Sequence, residues 1–223
     1  MRILFTVRAA SGHLHPLVPL AQAARDAGHE VAFAMPPSFE DTIRRLGFEW
    51  MSAGPDESSP EYVRFIEQRS RLTGRARAAF NRPAMVTLLA PPMISALLRI
   101  CPTWRPDVLV RDASDYGGCV AGEMIGIPHA AHEAGGYRSW VQEAIAEPLA
   151  TLVAANGLPS DPEQRMLERY LVLSPFPRAL DGSHGLSRPT LHRYRVVPFD
   201  RSGTKARSSG RSRCRARRWS MPP

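Results

Sequence analysis

Residues 1–35 read MRILFTVRAASGHLHPLVPLAQAARDAGHEVAFAM, and the reading of this stretch decides the fold. Ile3 to Val7 is a short apolar run suited to a strand covered on both faces. A loop from Arg8 to His15 follows. Pro16 then stands near the first turn of a helix, where a missing N–H costs least, and Leu17, Leu20, Ala21 and Ala24 supply an apolar stripe. Gly28 ends that helix, and Glu30 to Met35 reads as a second strand. Two strands joined by a helical crossover form the β-α-β unit of a parallel sheet.

The same alternation continues outward. Phe39, Ile43 and Leu46 mark a short helix closed by Gly47, and Phe48 to Met51 begins a third strand. From Ser58 to Ile100 the pattern turns helical and irregular, with Tyr62, Phe65, Ile66 and Leu72 spaced for one face. Ala84 to Cys101 is the most membrane-like stretch, yet Pro91 and Pro92 interrupt it and Arg99 lies inside it. A spanning helix needs about 20 largely apolar residues, so buried or pocket-lining helices broken at the prolines are expected instead. Regularity then returns with a strand at Val108-Leu109-Val110, a helix from Tyr116 to Ile125 stopped by Gly126, and a strand at His129 to His132. Ser139 to Ala155 reads as a helix, and Leu171-Val172-Leu173 closes the regular sheet. The expected class is α/β, a doubly wound, mostly parallel, Rossmann-like sheet.

The charge is lopsided. The chain carries 29 basic and 21 acidic residues, a net +8. Eight of the basic residues, Arg201 through Arg218 with Lys205 the only lysine, fall in the last 23 positions, where no acid occurs; the remaining 21 balance the 21 acids. Residues 1–200 are therefore expected to form one neutral domain. Residues 201–223, rich in Arg, Ser and Pro, are expected to be a disordered basic tail. Such a tail binds phosphate without specificity, so no specific nucleic-acid partner is expected. Cys101, Cys119 and Cys214 form no C-x-x-C pair, and no cationic leader with an apolar core precedes the first strand, so the expected location is cytoplasmic.

Ser11-Gly12-His13-Leu14-His15-Pro16 joins the first strand to its helix at the carboxyl edge of the sheet, where open α/β folds bind ligands. An imidazole there can take a proton from a hydroxyl near neutral pH. His13 is thus a candidate base, and by pattern alone equally a capping or hydrogen-bonding loop residue. Arg111-Asp112-Ala113-Ser114-Asp115 ends a strand at the same edge. Asp112 could orient the imidazole, or could instead pair with Arg111 or cap the next helix. The pairs His13-x-His15 and His129-x-x-His132 lack the further ligands a zinc site needs. Neither a G-x-G-x-x-G after the first strand nor a P-loop occurs. No metal and no cofactor are expected.

The opening stretch, together with RPDVLVRDASDYGGCVAGEMIGIPHA, YLVLSPFPRAL and HRYRVVPFDRSG, resembles the N-terminal domain of the two-domain GT-B glycosyltransferases that decorate antibiotics and other natural products in actinobacteria. The resemblance covers roughly residues 1–203. It implies an acceptor-binding domain, a nucleotide-diphosphate sugar as co-substrate, and inverting, metal-independent transfer. His13 matches the catalytic histidine of the family's G-H-x-x-P loop, with Ser11 and Gly12 in the substrate-proximal loop, and Asp112 matches its acidic partner. Phe65, Phe80, Met85, Met93 and Trp140, with Tyr62, could line a site for a hydrophobic small-molecule acceptor, and could equally be plain core. The family's donor-binding half has no counterpart among these 223 residues; a frameshift or truncation after Gly203 is the expected origin of the basic tail. Three consequences are expected: negligible transfer by the chain alone, pairing with a separate donor domain as the alternative role, and self-association through exposed apolar surface.

Overall fold

The computed structural model describes residues 1–135, 139–180, 186–197 and 199, with nothing stated for the side chains of residues 139 and 140. The expected basic tail, 201–223, lies outside them. Among the described residues seven strands form one wholly parallel sheet: β1 (Arg2–Thr6), β2 (Glu30–Met35), β3 (Glu49–Ser52), β4 (Val108–Asp112), β5 (His129–His132), β6 (Leu171–Ser174) and β7 (Leu191–Arg193), in the order β3-β2-β1-β4-β5-β6-β7. Both wings are wound outward from β1, so the strand order reverses between β1 and β4. That is the switch point at which such sheets open a crevice beyond the strand carboxyl ends.

The β-α-β reading of the first fifty residues describes what forms. Helix α2 (Val18–Asp26) crosses from β1 to β2 and α3 (Glu40–Arg45) from β2 to β3. Leu14, Leu17, Val18 and Ala21 pack with Phe5, Phe33 and Met35 in one core layer. The other face of the sheet places Leu4, Ala32 and Leu109 against Met93, Leu97 and Trp104. One expected loop differs: Ser11–Leu14 forms a single helical turn, α1, with Leu14 N–H bonded to Ala10 O. Burial of Leu14 and Leu17 holds this turn against the sheet.

The irregular segment is also more ordered than its prolines suggest. Helix α4 (Pro60–Ser70) begins with Ser59 capping Tyr62 N–H. Helix α5 (Gly74–Ala84) runs through a π-helical turn (Met85–Leu89) into α6 (Ala90–Trp104). The expected break at Pro91 and Pro92 therefore does not occur. The π turn lies immediately ahead of the two prolines, which occupy the first turn of α6, where the loss of regular i→i−4 bonds is already absorbed. Thr87 Oγ1 and Ser95 Oγ donate to the carbonyls of Pro83 and Pro91 within this stretch.

The resulting 31-residue helix is long and apolar enough, by length and composition, to cross a membrane. Seven residues of α6, however, are buried in the protein. Its partner is α7 (Tyr116–Ile125), and the approach is close: a Cβ at Gly117 would lie 2.6 Å from Met93 Cβ and 2.7 Å from Ala90 O. Helix α8 (Ser139–Ala155) adds Ile145, Leu149 and Leu152 to the cluster around Met85 and Tyr116. The sheet does not close at Leu171-Val172-Leu173 as expected: β7 pairs with β6 and extends it by one strand.

Candidate active site

The site is assembled where β1 and β4 end. Thr6 pairs with Arg111, so the residues after Thr6 and the last residue of β4, Asp112, face the same crevice. Leu14, fully buried, anchors α1 below, and His13 is turned toward Asp112. His13 Nδ1 and Asp112 Oδ2 are 2.6 Å apart, with side-chain exposures of 24% and 1%. The carboxylate is held on its other oxygen: Oδ1 accepts the backbone N–H of Ser114 at 2.8 Å and also its hydroxyl. Burial by itself would raise the Asp112 pKa. The hydrogen bond and charge of His13, the Ser114 hydroxyl and the nearby Arg8 outweigh it and hold the carboxyl below its ordinary range.

The alternatives for Asp112 resolve against Arg111 pairing and helix capping. Arg111, wholly buried, spends its donors on His129 Nδ1, Ala113 O and Leu167 O. Asp115, not Asp112, caps α7 by accepting Gly118 N–H at 3.0 Å. Burial raises the Asp115 pKa, against the opposing pull of Thr6, Gly118 and Arg111.

Arg8 completes the environment of the imidazole. Its Nη2 contacts His13 Nε2, and its Nε donates to Ser114 Oγ at 3.1 Å. A carboxylate at Nδ1 and a guanidinium N–H at Nε2 are both satisfied by the tautomer that carries its hydrogen on Nδ1 and offers the Nε2 lone pair to Arg8. This is the tautomer a base requires.

A cavity of about 300 Å³ opens beside His13 and Asp112. Its walls include Arg82 of α5, Tyr116, Ile145, Val141 and the charged residues Glu133, Glu168 and Arg188. In that group Arg188 Nη2 donates to Glu133 Oε1 at 2.6 Å and to Glu168 Oε1 at 2.8 Å. Burial would lower the Arg188 pKa, but the two carboxylates raise it beyond its ordinary value.

His132, fully buried at the end of β5, meets Tyr194 Oη through Nε2 at 2.7 Å. Burial lowers its pKa to about 4, and burial with Arg111 lowers that of His129 to about 3, so both are neutral at physiological pH. His129 is engaged by Arg111 and Glu123. No group of three or more metal-type ligands occurs among the described residues.

Of the residues singled out from sequence, His13 and Asp112 come together. Ser11 and Gly12 are exposed at the start of α1, outside the cavity lining. Phe65 and Phe80 stack on each other at 5.7 Å between α4 and α5, and Met85 and Met93 are buried in core clusters; none of these four lines the cavity. The Trp140 side chain lies outside the described residues. Arg8, Arg82, Glu133, Glu168 and Arg188 were not anticipated. Arg8 follows β1 at the ligand-binding edge and was open to detection by position. Glu133 and Arg188 are 55 residues apart, and no local pattern links them.

A doubly wound parallel sheet with a carboxylate-bonded imidazole at its switch point, beside a cavity, defines a Rossmann-like domain. No family model matches the chain. Among curated proteins it is 31% identical over 157 residues to 10-deoxymethynolide desosaminyltransferase of Streptomyces venezuelae, covering 58% of this chain and 35% of the relative. To tylactone mycaminosyltransferase of Streptomyces fradiae it is 31% identical over 149 residues, covering 58% and 33%. Aclacinomycin-T 2-deoxy-L-fucose transferase of Streptomyces galilaeus is 29% identical over 157 residues, with coverage of 58% and 36%.

Among solved structures, a Streptomyces sp. SF2575 glycosyltransferase superposes with TM-score 0.70 at 24% identity, over 90% of this chain and 55% of that one. Spinosyn rhamnosyltransferase bound to thymidine diphosphate superposes with TM-score 0.63 at 25% identity, over 89% and 50%. The chain is similar to the N-terminal part of actinobacterial natural-product glycosyltransferases and has the fold of one Rossmann-like half of a GT-B enzyme. It spans about a third of the length of the curated relatives it matches, and about half that of the solved structures.

Proposed function

We propose that this chain is the acceptor-binding domain, residues 1–200, of a soluble, cytoplasmic glycosyltransferase that moves a hexose from a nucleotide-diphosphate sugar to a hydroxyl of a hydrophobic natural product. His13 Nε2 accepts the hydroxyl proton, the oxygen attacks the anomeric carbon, and the nucleotide diphosphate leaves with the bonding electrons. Asp112 keeps the proton on Nδ1 and stabilises the imidazolium that forms. The observation that supports this most is the 2.6 Å His13–Asp112 contact beside a cavity at the switch point.

The donor sugar requires a second binding surface, and the described residues hold a single sheet. The 223-residue polypeptide by itself is therefore expected to bind acceptor and to transfer negligible sugar. Titration with a macrolactone and with a polyaromatic aglycone tests the first expectation, and failure of both to bind would overturn the reading. A nucleotide-sugar assay tests the second, and turnover by this polypeptide alone would refute it. A non-catalytic, partner-regulating role beside a separate donor domain is the second reading. It is favoured by exposed Leu180, Leu186, Val196 and Val197 on the segments that follow β6. Restored transfer on adding a donor domain would decide for catalysis.

A further inference from the structure

Arg8 stands out among the charged groups of the site. Its guanidinium is half-buried, contacts the nitrogen assigned as the base, and donates to a hydroxyl, but no described carboxylate forms an ion pair with it. The nearest acid, Asp112, is already committed to His13 and Ser114. Burial lowers the Arg8 pKa; Asp112 opposes this from a distance, while Arg69 and Arg82 lower it further. A partly desolvated cation with unused N–H donors and cationic neighbours favours an anionic or acidic oxygen. Arg82 lines the cavity beside His13 and Asp112; Arg8 stands behind that wall and reaches it through its contacts with His13 and Ser114, which do line it.

The occupant of Nε2 must also change during the reaction. An acceptor oxygen that reaches His13 takes the position Arg8 now holds, and the displaced N–H groups then lie beside that oxygen or its neighbour on the acceptor. A neutral aliphatic alcohol, which stays un-ionised, offers them an uncharged acceptor. A phenol, enol or carboxyl that gives up its proton offers them an anionic oxygen, and the bond is then one between opposite charges.

We infer that Arg8 is a specificity-determining residue that selects acceptors bearing an acidic oxygen, a phenolic or enolic hydroxyl, at or next to the glycosylated position. The inference rests on the reading of the cavity as an acceptor site. In the chemical step Arg8 donates hydrogen bonds only: the acceptor proton passes to His13 Nε2, and the guanidinium stabilises the oxyanion character that develops on the acceptor.

The full chain is titrated at pH 7 with a hydroxyanthraquinone, with its methyl ether and with a neutral macrolactone, following quenching of protein fluorescence and the phenolate absorption band. The free phenol is expected to bind roughly tenfold more tightly than the ether, as expected for one charge-assisted bond, and to show the phenolate band when bound. In Arg8→Met the preference should fall below about twofold and the band should vanish, while Arg8→Lys should keep part of both. A merely structural role for Arg8 would weaken phenol and ether alike. Equal binding of phenol and ether by the parent chain, or an unchanged preference in Arg8→Met, overturns the inference while leaving the acceptor site intact. Failure of all three compounds to bind overturns both. Inorganic pyrophosphate that competes with the phenol and loses its affinity in Arg8→Met would assign the guanidinium to donor phosphates and also overturn it.

Discussion

Replacing Asp112 with asparagine changes one atom and should reverse the protonation of His13. In the native site Ser114 N–H and its hydroxyl both point at Oδ1, and Oδ2 alone faces the imidazole. An asparagine side chain has to keep its carbonyl oxygen toward the Ser114 N–H, because that backbone donor cannot rotate away. Its NH2 is then presented to His13 Nδ1, which can accept only as a lone pair, so the proton moves to Nε2. There it meets a second donor, Arg8 Nη2. The charge-assisted bond lost is worth about 1.5–3 kcal/mol, which corresponds to a roughly 10- to 150-fold preference for the Nδ1–H tautomer in the parent protein. Long-range ¹H–¹⁵N NMR of the labelled full chain reads which nitrogen carries hydrogen. Asp112→Asn should show protonated Nε2. In an assay supplemented with a donor domain, transfer should fall by about two to four orders of magnitude, the usual worth of a positioned base. A variant whose Nε2 stays unprotonated, or whose transfer falls less than tenfold, would refute the assigned roles of both residues.

Other expectations concern stability. Gly117→Ala forces a methyl group against Met93 and the Ala90 carbonyl, and should cost about 1–3 kcal/mol, lowering Tm by roughly 3–10 °C; Gly12→Ala, whose Cβ meets nothing within 4 Å, should melt like the parent in the same circular-dichroism scan. Arg188→Met strands Glu133 beside Glu168 and should destabilise by about 3–5 kcal/mol in urea titrations, with Glu133→Gln added to it restoring part of the loss. His132 gains its proton near 6.5 when unfolded but only at about 4 when folded. The unfolded state therefore binds more protons between these values. The stabilisation is complete above about 6.5 and is lost as pH falls toward 4, at up to about 1.4 kcal/mol per pH unit. His132→Gln should flatten that part of the urea-midpoint profile, and an unchanged slope would contradict the burial of a neutral histidine there.

The parallel sheet could be read from sequence because strands buried on both faces, such as Ile3–Val7 and Val31–Met35, announce themselves as largely apolar runs, and Gly28 and Gly47 mark the helix ends ahead of β2 and β3. Strand β7 could not be read this way: Leu191-His192-Arg193 lies at the edge and is half polar. The continuous α5–π–α6 helix escaped because prolines ordinarily end helices, and local propensity does not register a π turn that accommodates them. For the site, the G-H-x-x-P loop and the Asp112 strand end were recognisable because topology sends both to one edge. The aromatic residues chosen for the cavity satisfy a composition rule, but Phe65 and Phe80 found each other instead. Arg8 and the Glu133–Arg188–Glu168 group depend on contacts between distant segments, which spacing along the chain does not encode.

The π turn gives the long helix two independently phased halves. An α-helix advances about 100° per residue, and a π turn is in effect one residue inserted into that advance. The face that carries Met93 and Leu97 onto α7 and the sheet is thereby decoupled from the face that carries Arg82 to the cavity. Deleting a single residue within Met85–Leu89 would turn α5 by about a quarter of a revolution relative to α6 and swing Arg82 off the cavity wall, without altering a residue of the α6–α7 seam. A one-codon change in this turn could thus re-aim the cavity wall while the sheet and the His13–Asp112 pair remain in place, a compact way for one scaffold to diversify the shape of its cavity.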